Sequence, residues 1–187
     1  EDGIRDVAVT GVQTCALPIY TGWNQSLSYT TPSLGGLTAQ LQVAGNDGTA
    51  TGRRYGGHVL YFSGAFAATA AYQQVKAGTT AGTTTWQLGG SYDAGFAKLY
   101  GQYGHVANDS SDVSYQLAEA GAAVPVGAAG KLLLEYGQLS EIDRKTLSLG
   151  YDHSLSKRTD LYAVFMADRL PTLTTGHSYA LGIRHRF

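Results

Sequence analysis

Asp152 and His153 are the neighbouring residues in this chain whose types suit acid–base chemistry, a carboxylate beside an imidazole. Their spacing denies it. Both lie in an alternating stretch that reads as a β-strand, where adjacent side chains point to opposite faces and cannot form a dyad. The other histidines are His58, His105, His177 and His185. His177 and His185 stand at opposite ends of one alternating segment, too far apart along a strand to share a metal ion. The single Cys15 excludes an intrachain disulfide framework and a CxxC metal site. No GxSxG, HExxH or glycine-rich phosphate loop occurs. The chain is therefore read as a non-enzyme, with no cofactor and no bound metal expected. Its polar residues suggest a different kind of chemistry. Lys131, Glu135, Asp152 and Arg184 each fall on the polar face of an alternating segment, as do Gln42, Gln73, Gln87 and Lys98. Charges and amides fixed along a wet wall bias which ions pass, and these residues are expected to line a water-filled lumen.

The elements that would hold such a wall are strands. In the last eleven residues, His177–Phe187, one face takes Tyr179, Leu181, Ile183, His185 and Phe187. The other takes Ala180, Gly182, Arg184 and Arg186. Alternation over about ten residues is what a membrane-spanning strand needs, with one face in lipid and the other towards a polar interior. From Trp23 onward the chain divides into about eleven such segments. They are Asn24–Pro32, Leu37–Gly45, Tyr55–Ser63, Phe66–Val75, Thr84–Asp93, Ala97–His105, Asp112–Val124, Lys131–Ser140, Arg144–His153, Thr159–Asp168 and the terminal segment. In Arg144–His153, for example, Leu147, Leu149 and Tyr151 face away from Thr146, Ser148, Gly150 and Asp152.

The connections carry a second pattern. Ser33–Gly36, Ser63–Ala65, Asp93–Phe96, Pro125–Gly130 and Ser154–Arg158 read as compact turns. Between them lie the longer polar stretches Asn46–Arg54, Lys76–Thr83, Val106–Ser111 and Arg169–Gly176, with the short Glu141–Asp143 as an exception. Short turns at one end and longer loops at the other describe periplasmic and extracellular sides. On this reading Arg53 and Arg54 occupy an extracellular loop, facing lipopolysaccharide phosphate or solvent.

Composition agrees with strands in a membrane. Hydrophobic residues make up 43% of the 187, yet no run approaches the roughly 18 apolar residues of a transmembrane helix. A membrane protein of this kind must then be a barrel, which hides its hydrophobicity by alternation. Twenty-five Gly, 13 Tyr and 4 Pro suit short strands, tight turns and aromatic girdles. Only 14% of residues are charged, low for a surface in water. A formal net charge of −1 gives nucleic acid nothing to bind.

The terminal strand, ending on Phe187, resembles the C-terminal strand of bacterial outer-membrane barrels. That resemblance implies that Tyr179, Leu181, Ile183, His185 and Phe187 form an assembly signal met by the barrel assembly machinery. The segments SLSYTTPSLGGLTAQLQVAG, LGYDHSLSKRTDLYAVF and SYALGIRHRF are similar to the general diffusion porins of β-proteobacterial outer membranes. The resemblance covers 20–187, and its most specific piece is the strand–turn–strand unit Gly150–Tyr162, whose Tyr151 and Tyr162 can sit in an interfacial aromatic girdle. It implies an all-β, antiparallel transmembrane barrel of about sixteen strands. It also implies passive diffusion of ions and small hydrophilic solutes, a homotrimer, and outer-membrane lipid and lipopolysaccharide as surroundings.

Counting back from the end makes Asn24–Pro32 the sixth strand of that barrel. The chain is thus expected to be a C-terminal portion, about eleven of about sixteen strands, with the constriction loop upstream. An odd number of antiparallel strands cannot close in register. The expectation is an open, curved sheet, or a distorted barrel closed by residues 4–19. Residues Glu1–Ile19, EDGIRDVAVTGVQTCALPI, resemble a translated sequencing adapter and are expected to be foreign to the protein. Two other readings stay open at this point: a structural or adhesive outer-membrane barrel without an open pore, and a soluble β-rich binding domain.

Overall fold

The computed structural model describes residues 23, 25–46, 51–78, 81–109 and 113–186, and every regular element among them is a strand. In chain order these are β1 (Ser26–Thr30), β2 (Leu37–Ala44), β3 (Thr51–Ser63), β4 (Phe66–Ala77), β5 (Thr83–Asp93) and β6 (Lys98–Asn108). There follow β7 (Ser114–Val126), β8 (Gly130–Leu139), β9 (Arg144–Ser156), β10 (Thr159–Arg169) and β11 (Gly176–His185). The eleven strands form one sheet in sequence order, with β1 and β11 at its two ends among the described residues. Among the described residues β1 and β11 are not paired and the sheet is not closed. Residues 1–19, the adapter-like stretch and the proposed closing strand with it, lie outside the described residues, as does Phe187.

Strands run further than the alternation that announces them. β3 begins at Thr51, so Arg53 and Arg54 belong to a strand and not to a loop. Likewise β4 reaches Ala77, β7 passes through Pro125 to Val126, and β9 continues to Ser156. The physical reason is that backbone pairing persists past the apolar belt, whereas alternation is imposed only where one face meets lipid. Tight turns remain at one end, at 64–65 and 157–158, with Gly64 at φ 56° supplying the first. Gly36 is a second obligatory glycine: its φ is 87°, and a Cβ there would strike the Phe62 carbonyl oxygen.

The described residues group into two compact units, one within 23–93 and 100–118, the other within 94–99 and 119–186. In the first, the registers Gln42↔Gly56, His58↔Ala71 and Gln73↔Thr85 carry one polar face from β2 to β5. The opposite face aligns Leu41, Val43, Tyr55, Val59, Tyr72 and Leu88. In the second, Lys131↔Asp152↔Tyr162↔Gly182 and Glu135↔Ser148↔Met166↔Ser178 run across β8 to β11 on the polar side. Leu134↔Leu149↔Phe165↔Tyr179 run across its reverse.

Burial is inverted relative to a protein in water. Leu134, Leu149 and Leu88 are 46%, 40% and 53% exposed, while Thr146, Ser148 and Gln73 on the polar faces are buried. Leaving apolar faces uncovered costs roughly 25 cal/mol per Å² in water and nothing in hydrocarbon. Aromatic pairs flank the apolar band within each unit. Tyr61–Phe66 and Tyr151–His153 lie towards the tight turns; Tyr55–Tyr72, Trp86–Tyr103 and Phe165–Tyr179 lie towards the other end. Amphipathic rings at both limits of an apolar band are the mark of the two headgroup regions. Tyr162 is not among them. It faces Asp152 and Gly182 on the polar side, contrary to the girdle position that its sequence neighbourhood suggests, because it is two residues from Asp160 on an alternating strand.

Candidate functional site

The polar faces are the site, and the two units build theirs from different chemistry. Between Ser26 and Ser91 the register puts no carboxylate on the polar face of β1–β5; amides and hydroxyls dominate it. Gln42 Nε2 donates to Ser26 Oγ at 3.1 Å, and Gln87 Nε2 donates to Gln102 Oε1 on β6. Trp23, just ahead of β1, is nearly buried against this face, beside Gly56, whose missing side chain leaves it room. A groove of about 300 Å³ runs between Trp23, Gln40, Gln42, His58, Gln73 and Gln87. Arg54 is buried on the same face, its Nη2 reaching the Gly45 carbonyl at 3.5 Å.

The second unit is built from ion pairs. Arg184 lies between two carboxylates: Nη2 donates to Asp152 Oδ2 at 2.8 Å and to Asp160 Oδ2 at 2.9 Å, and Nε reaches Asp160 Oδ2 at 3.2 Å. Arg186 Nη2 stands 3.1 Å from the same Asp160 oxygen, and the Ser154 hydroxyl donates to Asp160 Oδ1 at 2.9 Å. Nearer the opposite end of these strands, Arg144 forks onto Asp168 through Nε at 2.9 Å and Nη2 at 2.7 Å. Thr146 Oγ1 donates to the same carboxylate at 3.0 Å. Planar guanidinium–carboxylate pairs of this kind fix both partners in place.

The eight lumen candidates all fall on polar faces, though not in one cluster. Asp152 and Arg184 are brought into contact, with Lys131 directly opposite Asp152 on β8. Glu135 lies further along β8, opposite Ser148. Gln42, Gln73 and Gln87 share the amide face, and Lys98 opens β6 on the alternation face of Gln102. Asp160, Asp168, Arg144 and Thr146 were not among them. β10 hides its two aspartates because Tyr162, Val164 and Met166 make its polar face nearly as apolar as its reverse. The hairpin turn at 157–158 was the available signal, since its register fixes Asp160 beside Ser154. On the terminal strand, Tyr179, Leu181 and Ile183 stand 78%, 84% and 68% exposed on the apolar face. His185 is on that face too, its Nδ1 2.9 Å from the Thr159 hydroxyl.

A polar face kept covered and an apolar face left bare suit strands that separate water from lipid. Comparison with known proteins agrees: the Gram-negative porin family matches residues 2–171. This chain belongs to that family. The outer membrane porin protein 32 of Delftia acidovorans is 37% identical over 74% of this chain and 44% of its own length. The anion-selective porin from Comamonas acidovorans superposes with a TM-score of 0.73 at 31% identity, covering 88% of this chain and 60% of that porin. The OmpF of Salmonella typhi, solved in complex with daunomycin, gives a TM-score of 0.73 at 18% identity, which speaks to the fold alone. The chain thus spans about half the length of the porins it matches. Family membership locates it in the bacterial outer membrane.

Proposed function

We propose that the protein of which this sequence is a part conducts ions and small hydrophilic solutes passively through a water-filled channel, walled in part by the polar strand faces. The carrying observation is the inverted burial, polar residues such as Thr146, Ser148 and Gln73 covered and leucines such as Leu134 and Leu149 bare. In this reading Gln42, Gln73, Gln87, Lys98, Lys131, Glu135, Asp152 and Arg184 line the lumen. They act as fixed charges and dipoles on passing solutes, and no bond is made or broken. Lipid and lipopolysaccharide surround the apolar face, and the C-terminal strand engages the barrel assembly machinery. The functional unit is a homotrimer. Residues 1–19 are foreign to the protein; the family match enters this stretch at residue 2, so a long read across the genomic locus decides that point.

Reconstitution of the full-length protein in planar bilayers tests the central reading. Discrete, ohmic conductance steps that scale with bulk electrolyte are expected. A sealed membrane at saturating protein would favour the structural or adhesive barrel instead.

A further inference from the structure

The ion pairs of the second unit have a consequence for selectivity, which rests on the channel reading above. We propose that Asp160 is a specificity-determining residue: it holds Arg184 and Arg186 against the wall and cancels the positive charge that they would otherwise present to passing ions. Asp160 is only 4% exposed although it sits on the polar face. Its carboxylate is saturated, with Oδ2 taking Arg184 at 2.9 Å and Arg186 at 3.1 Å, and Oδ1 taking the Ser154 hydroxyl at 2.9 Å. Direct cross-strand register with Arg184, and an irregularity in the β9–β10 pairing at Thr159/Asp160, aim the carboxylate at both guanidiniums. Asp152 supplies the second carboxylate for Arg184 at 2.8 Å. Within this cluster the two aspartates balance the two arginines, and Lys131, directly opposite Asp152 on β8, adds one positive charge beside it. Arg186, with its side chain 54% exposed, is the member nearest the water and the first to act as a free cation once Asp160 is gone.

One unit of charge about 6 Å from an ion's path, in water at about 0.1 M salt, changes the local ion concentration by roughly twofold. The change is opposite in sign for anions and cations, so their permeability ratio moves by about threefold or more. The experiment measures that ratio from reversal potentials across a salt gradient, on the full-length protein in planar bilayers. Asp160→Asn is expected to raise the anion-to-cation ratio about threefold. Arg186→Gln, a change at an exposed side chain, is expected to lower it by a similar factor. The charge-balanced double variant D160N/R184Q is expected to return the ratio to the wild-type value, which a purely structural defect would not do. A conducting Asp160→Asn protein with an unchanged ratio overturns the proposal. Should that variant fail to fold, an Arg186→Gln protein with an unchanged ratio does so. Absence of conductance steps from the wild type would instead overturn the channel reading itself, and the proposal with it.

Discussion

Replacing Leu149 by Arg asks the sharpest question of which face meets lipid. Leu149 lies mid-strand on β9, 40% exposed, with Leu134 directly opposite on β8 and Phe165 directly opposite on β10. Its same-face neighbours along the strand are Leu147 and Tyr151, so no carboxylate is at hand to compensate a guanidinium. An arginine facing lipid near the midplane of a transmembrane barrel costs about 2–4 kcal/mol. At about 1.4 kcal/mol per tenfold, the folding equilibrium falls by roughly 30- to 1000-fold. The control is Ala180→Arg at the same height. Ala180 pairs with Val164, which pairs with Gly150, the residue after Leu149, but on the polar face. A charge there stays hydrated and is expected to cost less than about 1 kcal/mol. The assay is equilibrium denaturant unfolding of the full-length protein in phospholipid vesicles. Equal costs at the two positions, or a larger cost at Ala180, would refute the assignment of faces.

Further outcomes follow from local geometry. Gly36→Ala forces a Cβ into the Phe62 carbonyl at φ 87° and is expected to lower stability by about 1–3 kcal/mol in the same unfolding assay. Asp143, at φ 46° in the turn between β8 and β9, is the converse case. Asp143→Gly should stabilise by a few tenths of a kcal/mol, since the exposed Lys145 pair it gives up contributes about 0–1 kcal/mol. The two tryptophans report opposite surroundings. Trp86, on the apolar face beside Tyr103 and His105, should be quenched by brominated lipid, and Trp23 should not; single Trp→Phe variants separate the two signals.

The period of two was the legible part of this fold. Most strands announce themselves because each presents lipid on one side and polar atoms on the other, although the alternation is weaker over Ala97–His105 and Asp112–Val124. Strand ends were not legible. Past the lipid belt both faces are polar, so β3 could absorb Arg53 and Arg54 without a trace in the alternation. The side of a residue was readable wherever the strand was one-sided, as at Gln42 and Asp152. It was unreadable on β10, where Asp160 is followed on its own face by Tyr162, Val164 and Met166. The Arg184 and Arg144 pairings needed cross-strand register, which depends on the hairpin turns and not on composition.

Conduction along the polar face can be tested in one recording with neighbouring residues on β8. Glu135 lies on the polar face opposite Ser148, and Leu134 on the apolar face opposite Leu149. In a full-length background with no other cysteine, each is replaced singly by Cys and exposed to a charged, water-soluble thiol reagent during single-channel recording. The prediction is a stepwise change in conductance with Glu135→Cys and none with Leu134→Cys. Modification that changes conductance only at Leu134→Cys would contradict the account, because the apolar face would then be the one lining the water path.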